Sequence, residues 1–376
     1  MYESDADAKV LSVDRRELLK APAGAAELLV APSFGQQNAT RTAESPTIAG
    51  SGSAVRTITL EEHFATPEVL DAIVKAWPGD PLVDYLQAKR AKLLDLGSGR
   101  IAEMDASQID LQVLSLTGIG MDRLAPADAI ALSHDSNDNL AAAIHAHPDR
   151  LAGFAALALQ DPEKAALEFE RCVRQLKFKG ALINGATNGI FLDNPRSTPV
   201  LEAAQALDVP IYLHPGLPPT AVREAYYGEL PRELGFILSL PGWGWHVETG
   251  MHSMRLILSG VFDRFPRLKI VLGHMGEAVP FFLARSEGFL GPRAKSLNRH
   301  ISDYFYENFY FTTSGYFSLP PFLCALQIFG ADRILFSVDH PFNTMAQGRA
   351  FLNGLPISSD DMRKITHGNA ERVFKL

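Results

Sequence analysis

Cysteine is nearly absent from this chain of 376 residues: Cys172 and Cys324 are the only two. They show no partner spacing, which excludes a disulfide framework and a thiolate metal cluster and leaves plain core packing. A basic field is missing as well. The formal net charge is -8, the wrong sign for holding nucleic acid or an anionic membrane. No run approaches the roughly 18–20 apolar residues of a membrane span. No G-x-G-x-x-G follows the first candidate strand, so a doubly wound dinucleotide-binding sheet, the second choice of fold, lacks its usual signature. There is no internal sequence repeat.

What is present divides into two materials. "DRRELLK" (Asp14 to Lys20) precedes the small-residue apolar run "APAGAAELLVAP" and then the polar "SFGQQNATRTAESPTIAGSGSA". Positive residues, an apolar stretch and a polar tail describe an export signal, and Arg15-Arg16 resembles the twin-arginine class. Glu27 inside the apolar run and the length before Asp14 depart from that pattern, and an amphipathic surface helix with a disordered linker is the alternative. The expectation is an export signal and flexible linker over residues 1–54, placing the protein in the periplasm or outside the cell, and otherwise in the cytoplasm.

Residues 55–376 read as a single domain. Short β-rich runs alternate with longer amphipathic ones, the candidate strands being Arg56–Leu60, Leu111–Leu116, Ala152–Leu157, Gly180–Ile183, Val209–Leu213, Leu268–Leu272, Phe309–Thr313 and Arg333–Val338. Several, such as "DVPIYLH" and "LKIVLGH", are nearly unbroken apolar stretches, as expected of parallel strands covered on both faces. Eight β-then-α units predict an α/β fold of the (β/α)8 barrel type. Residues 77–106 and 216–250 are insertions expected over the barrel mouth, the second carrying Trp243 and Trp245.

In such a barrel the C-terminal strand ends carry the chemistry. Strand one delivers "LEEHF", hence Glu61 and His63. Strand four delivers Asn184, strand five His214, strand six His274 and Glu277, and strand eight Asp339. A single histidine beside an apolar run is usually a hydrogen-bonded structural residue. Several ionisable groups at one end are costly unless paired or metal-bound. Residues two apart on a strand point the same way, so Glu61 and His63 can reach one ion. With His214 and Asp339 they make two nitrogens and two oxygens, a set that suits Zn²⁺ first and also admits Mn²⁺ or Mg²⁺. With no cysteine among them, the site is catalytic in style, with an open position for water or substrate.

The motifs "LEEHF", "DRLAGFAAL", "GALING", "YLHPG", "GVFDRFPRLKIVLGHMGE", "FTTSG", "RILFSVDHPF" and "GNAERVFKL", spread in order over residues 57 to 376, resemble the amidohydrolase-related decarboxylases. That family acts on γ-resorcylate, 2,3-dihydroxybenzoate and salicylate and includes aminocarboxymuconate semialdehyde decarboxylase. The resemblance implies a metal-dependent hydrolase type of TIM barrel, one divalent metal, and non-oxidative decarboxylation of a small o-hydroxybenzoate-type acid. It places the family's metal ligands on Glu61, His63, His214 and Asp339 and its proton-transfer pair on His274 and Glu277. It also places on Arg285 an arginine that would orient the aspartate. A homodimer or homotetramer is implied too. One departure stands out: where the family reads Pro-Phe-Glu or Pro-Tyr-Glu, Asn343 follows Pro341-Phe342.

Decarboxylation would proceed by protonating the ring carbon, with Asp339, hydrogen-bonded towards His274, as the acid and His274 and Glu277 as relay. Phe64, Asn184, Phe342 and the loop bearing Trp243 and Trp245 are the expected substrate contacts. The same ligands could activate water, so hydrolysis of a lactone or amide is the alternative. An exported binding protein without chemistry would predict a damaged ligand set, and this one is complete.

Overall fold

Eight parallel strands follow one another in chain order: β1 (Ile58–Phe64), β2 (Leu111–Leu116), β3 (Leu151–Gly153 with Ala155–Ala156), β4 (Ala181–Asn184), β5 (Ile211–His214), β6 (Ile270–Leu272), β7 (Phe309–Thr312) and β8 (Ile334–Leu335). The computed structural model describes residues 55–376; the export signal and linker expected over residues 1–54 lie outside the described residues. Neighbouring strands pair in parallel. The two halves of β3 meet at Phe154, whose N–H donates to Leu114, while Ala155 N–H donates to Gly180. β8 returns to β1 through a parallel bridge between Leu60 and Ser337, so the sheet closes into the expected (β/α)8 barrel.

Period-two alternation sorts the strand residues into two cores. Inside the barrel, Ile58, Leu60, Leu111, Val113, Ala152, Phe154, Leu182, Tyr212, Val271, Tyr310 and Leu335 form one buried cluster with a contribution from every strand. Ala370, Val373 and Phe374 of the helix Asn369–Phe374 close its lower end. The intervening residues, among them Ala181, Ile183, Ile211, Leu213, Ile270, Leu272, Phe309 and Phe311, pack outward under the helices. Both faces of each strand are thus covered, which is why the strands read as continuous apolar runs.

The expected strand bounds need two corrections. β1 runs on to Phe64 rather than stopping at Leu60, so "EEHF" is strand and not loop. Regular pairing in β8 ends at Leu335 rather than Val338, because Ser337 and Val338 turn to hold β1. The first insertion forms the helices Pro81–Gln87, Arg90–Leu93 and Ser98–Ala106. From the last of these, buried Arg100 donates to the His63 carbonyl at 2.7 Å, tying the insertion to β1. The second forms Thr220–Tyr227, Arg232–Ser239 and the start of the helix Gly244–Leu258. Among the described residues no helix is long and apolar enough to cross a membrane.

Candidate metal centre

Following the inward positions past the apolar layer gives Ser115 on β2, Asn184 on β4, His214 on β5, Thr312 on β7, and Ser337 then Asp339 beyond β8. The barrel mouth is therefore polar by simple continuation of the alternation. β1 is different. Ile58 and Leu60 face inward, so unbroken alternation would bring in Glu62. A register shift between Thr59 and Glu62, with Glu61 at φ 59°, resets the count. Glu61 and His63 face the centre, and Glu62 turns towards β8, accepting from Val338 N–H at 2.9 Å and His340 N–H at 3.1 Å. Burial pushes the Glu62 carboxyl up to about 8 despite those two hydrogen bonds. His274 (φ 48°), Glu277 (φ 55°) and Asp339 (φ 66°) share the left-handed backbone of Glu61. Each such residue costs on the order of 1–3 kcal/mol and persists only where its surroundings over-determine it.

The ligand atoms of Glu61, His63, His214 and Asp339 all lie within 4.8 Å of one another. His63 Nε2 is 3.3 Å from Asp339 Oδ1, and His214 Nε2 is 3.1 Å from Glu61 Oε1. In each group the outer atom is held. Glu61 Oε2 accepts from the Tyr212 hydroxyl and from Ser314 Oγ. His63 Nδ1 pairs with Ser115 Oγ at 3.3 Å, His214 Nδ1 donates to the Pro215 carbonyl at 2.7 Å, and Asn343 Nδ2 donates to Asp339 Oδ2 at 3.1 Å. The inner atoms differ: Glu61 Oε1 and His63 Nε2 are buried and make no hydrogen bond among the described residues. Buried polar atoms left this way are expensive, and the pattern of outer atoms held and inner atoms converging is that of metal ligands. His214 Nδ1–H in the bond to Pro215 leaves the Nε2 lone pair for the ion. Burial alone would raise the Glu61 carboxyl, but the imidazoles of His274, His214 and His63 hold it well below the usual carboxylate range. Even Gly273 fits this reading, since a Cβ there would lie 2.8 Å from Glu61 Oε2. The four residues fit one divalent cation.

A second imidazole–carboxylate cluster adjoins the first. Glu277 Oε1 accepts from His274 Nδ1 at 2.7 Å and Oε2 from His246 Nδ1 at 2.7 Å. These groups also converge closely enough to hold an ion, but they satisfy one another at hydrogen-bond distance, so this cluster is a proton-bearing network. Burial disfavours charge on His274, yet the carboxylates of Glu277 and Glu61 outweigh it and push its pKa up to about 10. His274 Nε2 is 3.6 Å from Glu61 Oε1, where the two clusters touch.

Both open onto a cavity of about 270 Å³ lined by Tyr85, His214, Trp245, His246, His274, Tyr316, Asp339, Phe342 and Asn343, among others. This is the small end of ligand-pocket sizes, suited to a single ring. Phe342 stacks on Tyr85 at 5.3 Å between centroids and meets His63 edge-on. The structure therefore brings together the expected metal ligands, His274, Glu277, Phe342 and Trp245.

Other expectations need correction. Phe64 is buried in the layer between strands and helices, because it leaves β1 on the face opposite His63. Asn184 lines a neighbouring cavity of about 60 Å³ beside Gly118 and Gly216, the inward position on β4 lying too far round the barrel. Arg285 is exposed, its guanidinium 3.9 Å from the Phe289 ring, on the outer face of the helix Val279–Leu290. It does not orient Asp339; Asn343 does, and the expected hydrogen bond from Asp339 towards His274 is absent. Trp243 is exposed on the insertion.

Sequence reasoning missed Tyr212, Tyr85, Asn343 as a partner of Asp339, and His246. Tyr212 was within reach, two residues before His214 and so on the same face. His246 carried no signal, since it lies on an insertion helix and its role depends on Glu277, far along the chain.

A family model described as "Amidohydrolase" matches residues 96–376. A γ-resorcylate decarboxylase from Polaromonas sp. (strain JS666) is 40% identical over 335 residues, 85% of this chain and 98% of that protein. Among solved structures, a dihydroxybenzoic acid decarboxylase from Polaromonas sp. JS666, with bound manganese and the inhibitor 2-nitroresorcinol, superposes with a TM-score of 0.77 at 39% identity, covering 85% of this chain and 97% of that one. A 5-carboxyvanillate decarboxylase from Novosphingobium aromaticivorans, complexed with manganese and 4-hydroxy-3-methoxy-5-nitrobenzoic acid, gives 0.79 at 34% identity, covering 86% and 97%.

Proposed function

Because the chain belongs to the amidohydrolase family, among its metal-dependent decarboxylases of hydroxybenzoate-type acids, we propose that its substrate is a benzoate with a hydroxyl on one or both ortho carbons. The observation that carries the reading is the convergence of Glu61, His63, His214 and Asp339 at the floor of a one-ring cavity walled by Phe342, Tyr85 and Trp245. Glu61, His63, His214 and Asp339 would hold the ion, which when bound supplies positive charge to the acid's phenolate and carboxylate oxygens. Mn²⁺ is the proposed metal: mixed nitrogen and oxygen ligation admits it, and both relatives above contain manganese, whereas zinc was the first expectation from the ligand types.

Losing CO2 directly from an aryl ring would strand an electron pair in the ring plane. Asp339 instead delivers a proton to the ring carbon that bears the carboxylate, while the ortho oxygen feeds its electron pair into the ring. The carbon–carbon bond then breaks, its pair restores the aromatic ring and the ortho phenolate, and CO2 departs; Asp339, left as a carboxylate, regains its proton from water. Asn343 orients Asp339 through Oδ2. His274 lines the cavity beside the ligand set, with Glu277 accepting from its Nδ1 at 2.7 Å, and so turns Nε2 towards the substrate. Phe342, Tyr85 and Trp245 clamp the ring and exclude water.

The test incubates manganese-loaded protein with 2,6-dihydroxybenzoate, salicylate, 5-carboxyvanillate, benzoate and a set of lactones, following CO2 release and ring opening. Turnover is expected only for acids with an ortho hydroxyl. Silence on all of them with a lactone opened would establish the hydrolase alternative instead. Chelation followed by reconstitution with Mn²⁺, Zn²⁺ or Mg²⁺ ranks the metals.

Two further assignments remain proposals. Met251, Leu258 and Phe282 are exposed around one apolar cavity, and Phe281 and Phe289 are exposed on the same helix as Phe282; such an apolar surface supports a homodimer or homotetramer, checked by light scattering of wild type and Phe281→Asp. Export through residues 1–54 rests on Arg15-Arg16 and the apolar run after it, checked by cell fractionation with a lysine pair at those two positions.

A further inference from the structure

His246 stands outside the metal ligand set, yet its surroundings fix its hydrogen atoms. An indole N–H can only donate, and Trp245 Nε1 donates to His246 Nε2 at 3.0 Å. That nitrogen must therefore present a lone pair, which puts the ring proton on Nδ1, 2.7 Å from Glu277 Oε2. The Pro241 carbonyl lies 3.1 Å from the same Nε2 and favours the other tautomer, in which Nδ1 would turn a lone pair towards the carboxylate. Trp245 breaks that tie. A chain of hydrogen bonds then runs in one direction, from Trp245 to His246 to Glu277, whose other oxygen takes the His274 proton at 2.7 Å.

The helix Gly244–Leu258 that carries Trp245 and His246 is docked directly on Glu277. A Cβ on Gly250 would sit 2.4 Å from the Glu277 carbonyl oxygen, so only glycine permits the approach. His246 and Glu277 are both buried, and the His246 ring stacks edge-on 4.6 Å from His274 and 5.3 Å from Tyr316. Trp245 is at once a wall of the substrate cavity and the donor that selects the His246 tautomer.

We propose that His246 is a positioning residue for the decarboxylation: held as its Nδ1–H tautomer by Trp245, it locks the Glu277 carboxylate so that His274 presents Nε2 to the cavity, linking the aromatic wall that grips the substrate to the groups that handle its proton. The proposal rests on the decarboxylase reading above for its kinetic consequence, while its structural half does not.

The experiment has two arms. In the first, kcat and KM for 2,6-dihydroxybenzoate are measured across pH, together with bound manganese, for wild type, His246→Leu and His246→Asn. His246→Leu should lose about 10- to 100-fold in kcat, the usual cost of removing a group that orients a functional residue, with KM and metal content within about threefold. His246→Asn, whose side-chain N–H can replace Nδ1–H, should recover most of the loss. A leucine variant as active as wild type, or an asparagine variant as impaired as leucine, would overturn the assignment.

The second arm needs no turnover. Side-chain ¹⁵N spectra of wild-type protein and Trp245→Phe, metal-free and loaded with diamagnetic Mg²⁺, should show His246 as the Nδ1–H tautomer in wild type and as a tautomer mixture in the variant. An Nε2–H tautomer in wild type, or no change in the variant, would refute the tautomer lock. If wild type were silent on every hydroxybenzoate, the reaction would be wrong, and the spectra would still decide whether Trp245 and His246 position Glu277.

Discussion

The two imidazole–carboxylate clusters at the barrel mouth touch at Glu61 and His274, are equally buried, and use the same residue types. They differ in what is left over. In the His246–Glu277–His274 cluster each carboxylate oxygen takes an imidazole N–H, and the charges settle among themselves. In the Glu61–His63–His214–Asp339 cluster the outer atoms are held by Tyr212, Ser314, Ser115, Pro215 and Asn343, while Glu61 Oε1 and His63 Nε2 have no hydrogen-bond partner among the described residues. The first is a closed network and the second a socket. What separates them is the direction in which each donor proton points, not the composition.

Five substitutions break or sharpen that contrast. The largest effect is expected from the socket: His63→Ala and Asp339→Asn should each lower decarboxylation by at least about 10³-fold, as loss of both charge stabilisation and the acid requires. Elemental analysis should show sub-stoichiometric metal in His63→Ala, and full metal occupancy there would collapse the distinction between the clusters. Glu277→Gln comes next. A neutral amide cannot accept from two imidazoles, so kcat should drop about 100-fold while metal content stays near wild type; a metal-free variant would mean that Glu277 belongs to the socket.

Tyr212→Phe removes one of the two donors to Glu61 Oε2. The expected result is metal affinity weakened about 10-fold, read by competition with a chelator.

The smallest effect concerns a buried imidazole in neither cluster. His252 Nε2 accepts from Leu192 N–H at 2.9 Å and its Nδ1 has no partner among the described residues. Burial pushes its pKa down to about 3. The unfolded chain takes up this proton near the ordinary value of 6.5 and the folded chain only near 3, so the unfolded state binds more protons in that window. Stability from this residue is full above about pH 6.5 and drains away as pH falls, at up to about 1.4 kcal/mol per unit. His252→Gln should therefore show a shallower decline in Tm between pH 6.5 and 4.5 than wild type. Parallel curves would mean that His252 titrates normally.

Much of the site was legible because strand periodicity and barrel topology are local rules. His214 two residues after Tyr212, and Asp339 following the alternation from Leu335 through Ser337, fall out of counting by two. His274 and Glu277 were visible at the end of β6, and resemblance added their proton-transfer role. What failed was everything that depends on distance around or outside the barrel. Asn184 sits at an inward position but in the neighbouring cavity, Phe64 leaves its strand on the wrong side, and Arg285 faces outward over Phe289. His246 was invisible because its partner is supplied by a different strand end.

The amino-acid order alone determined the eight-fold alternation of strand and helix, the polar strand ends and the pool of ligands, because apolar runs of strand length between amphipathic stretches have few ways to bury themselves. It did not determine which residue of β1 would face the centre. Counting from Ile58 and Leu60 selects Glu62; the bulge at Glu61, stabilised by contacts with β8 and β5 that exist only once the barrel closes, selects Glu61 and His63 instead. A one-residue shift turns every later side chain to the opposite face, and only the closed sheet could hold that shift in place.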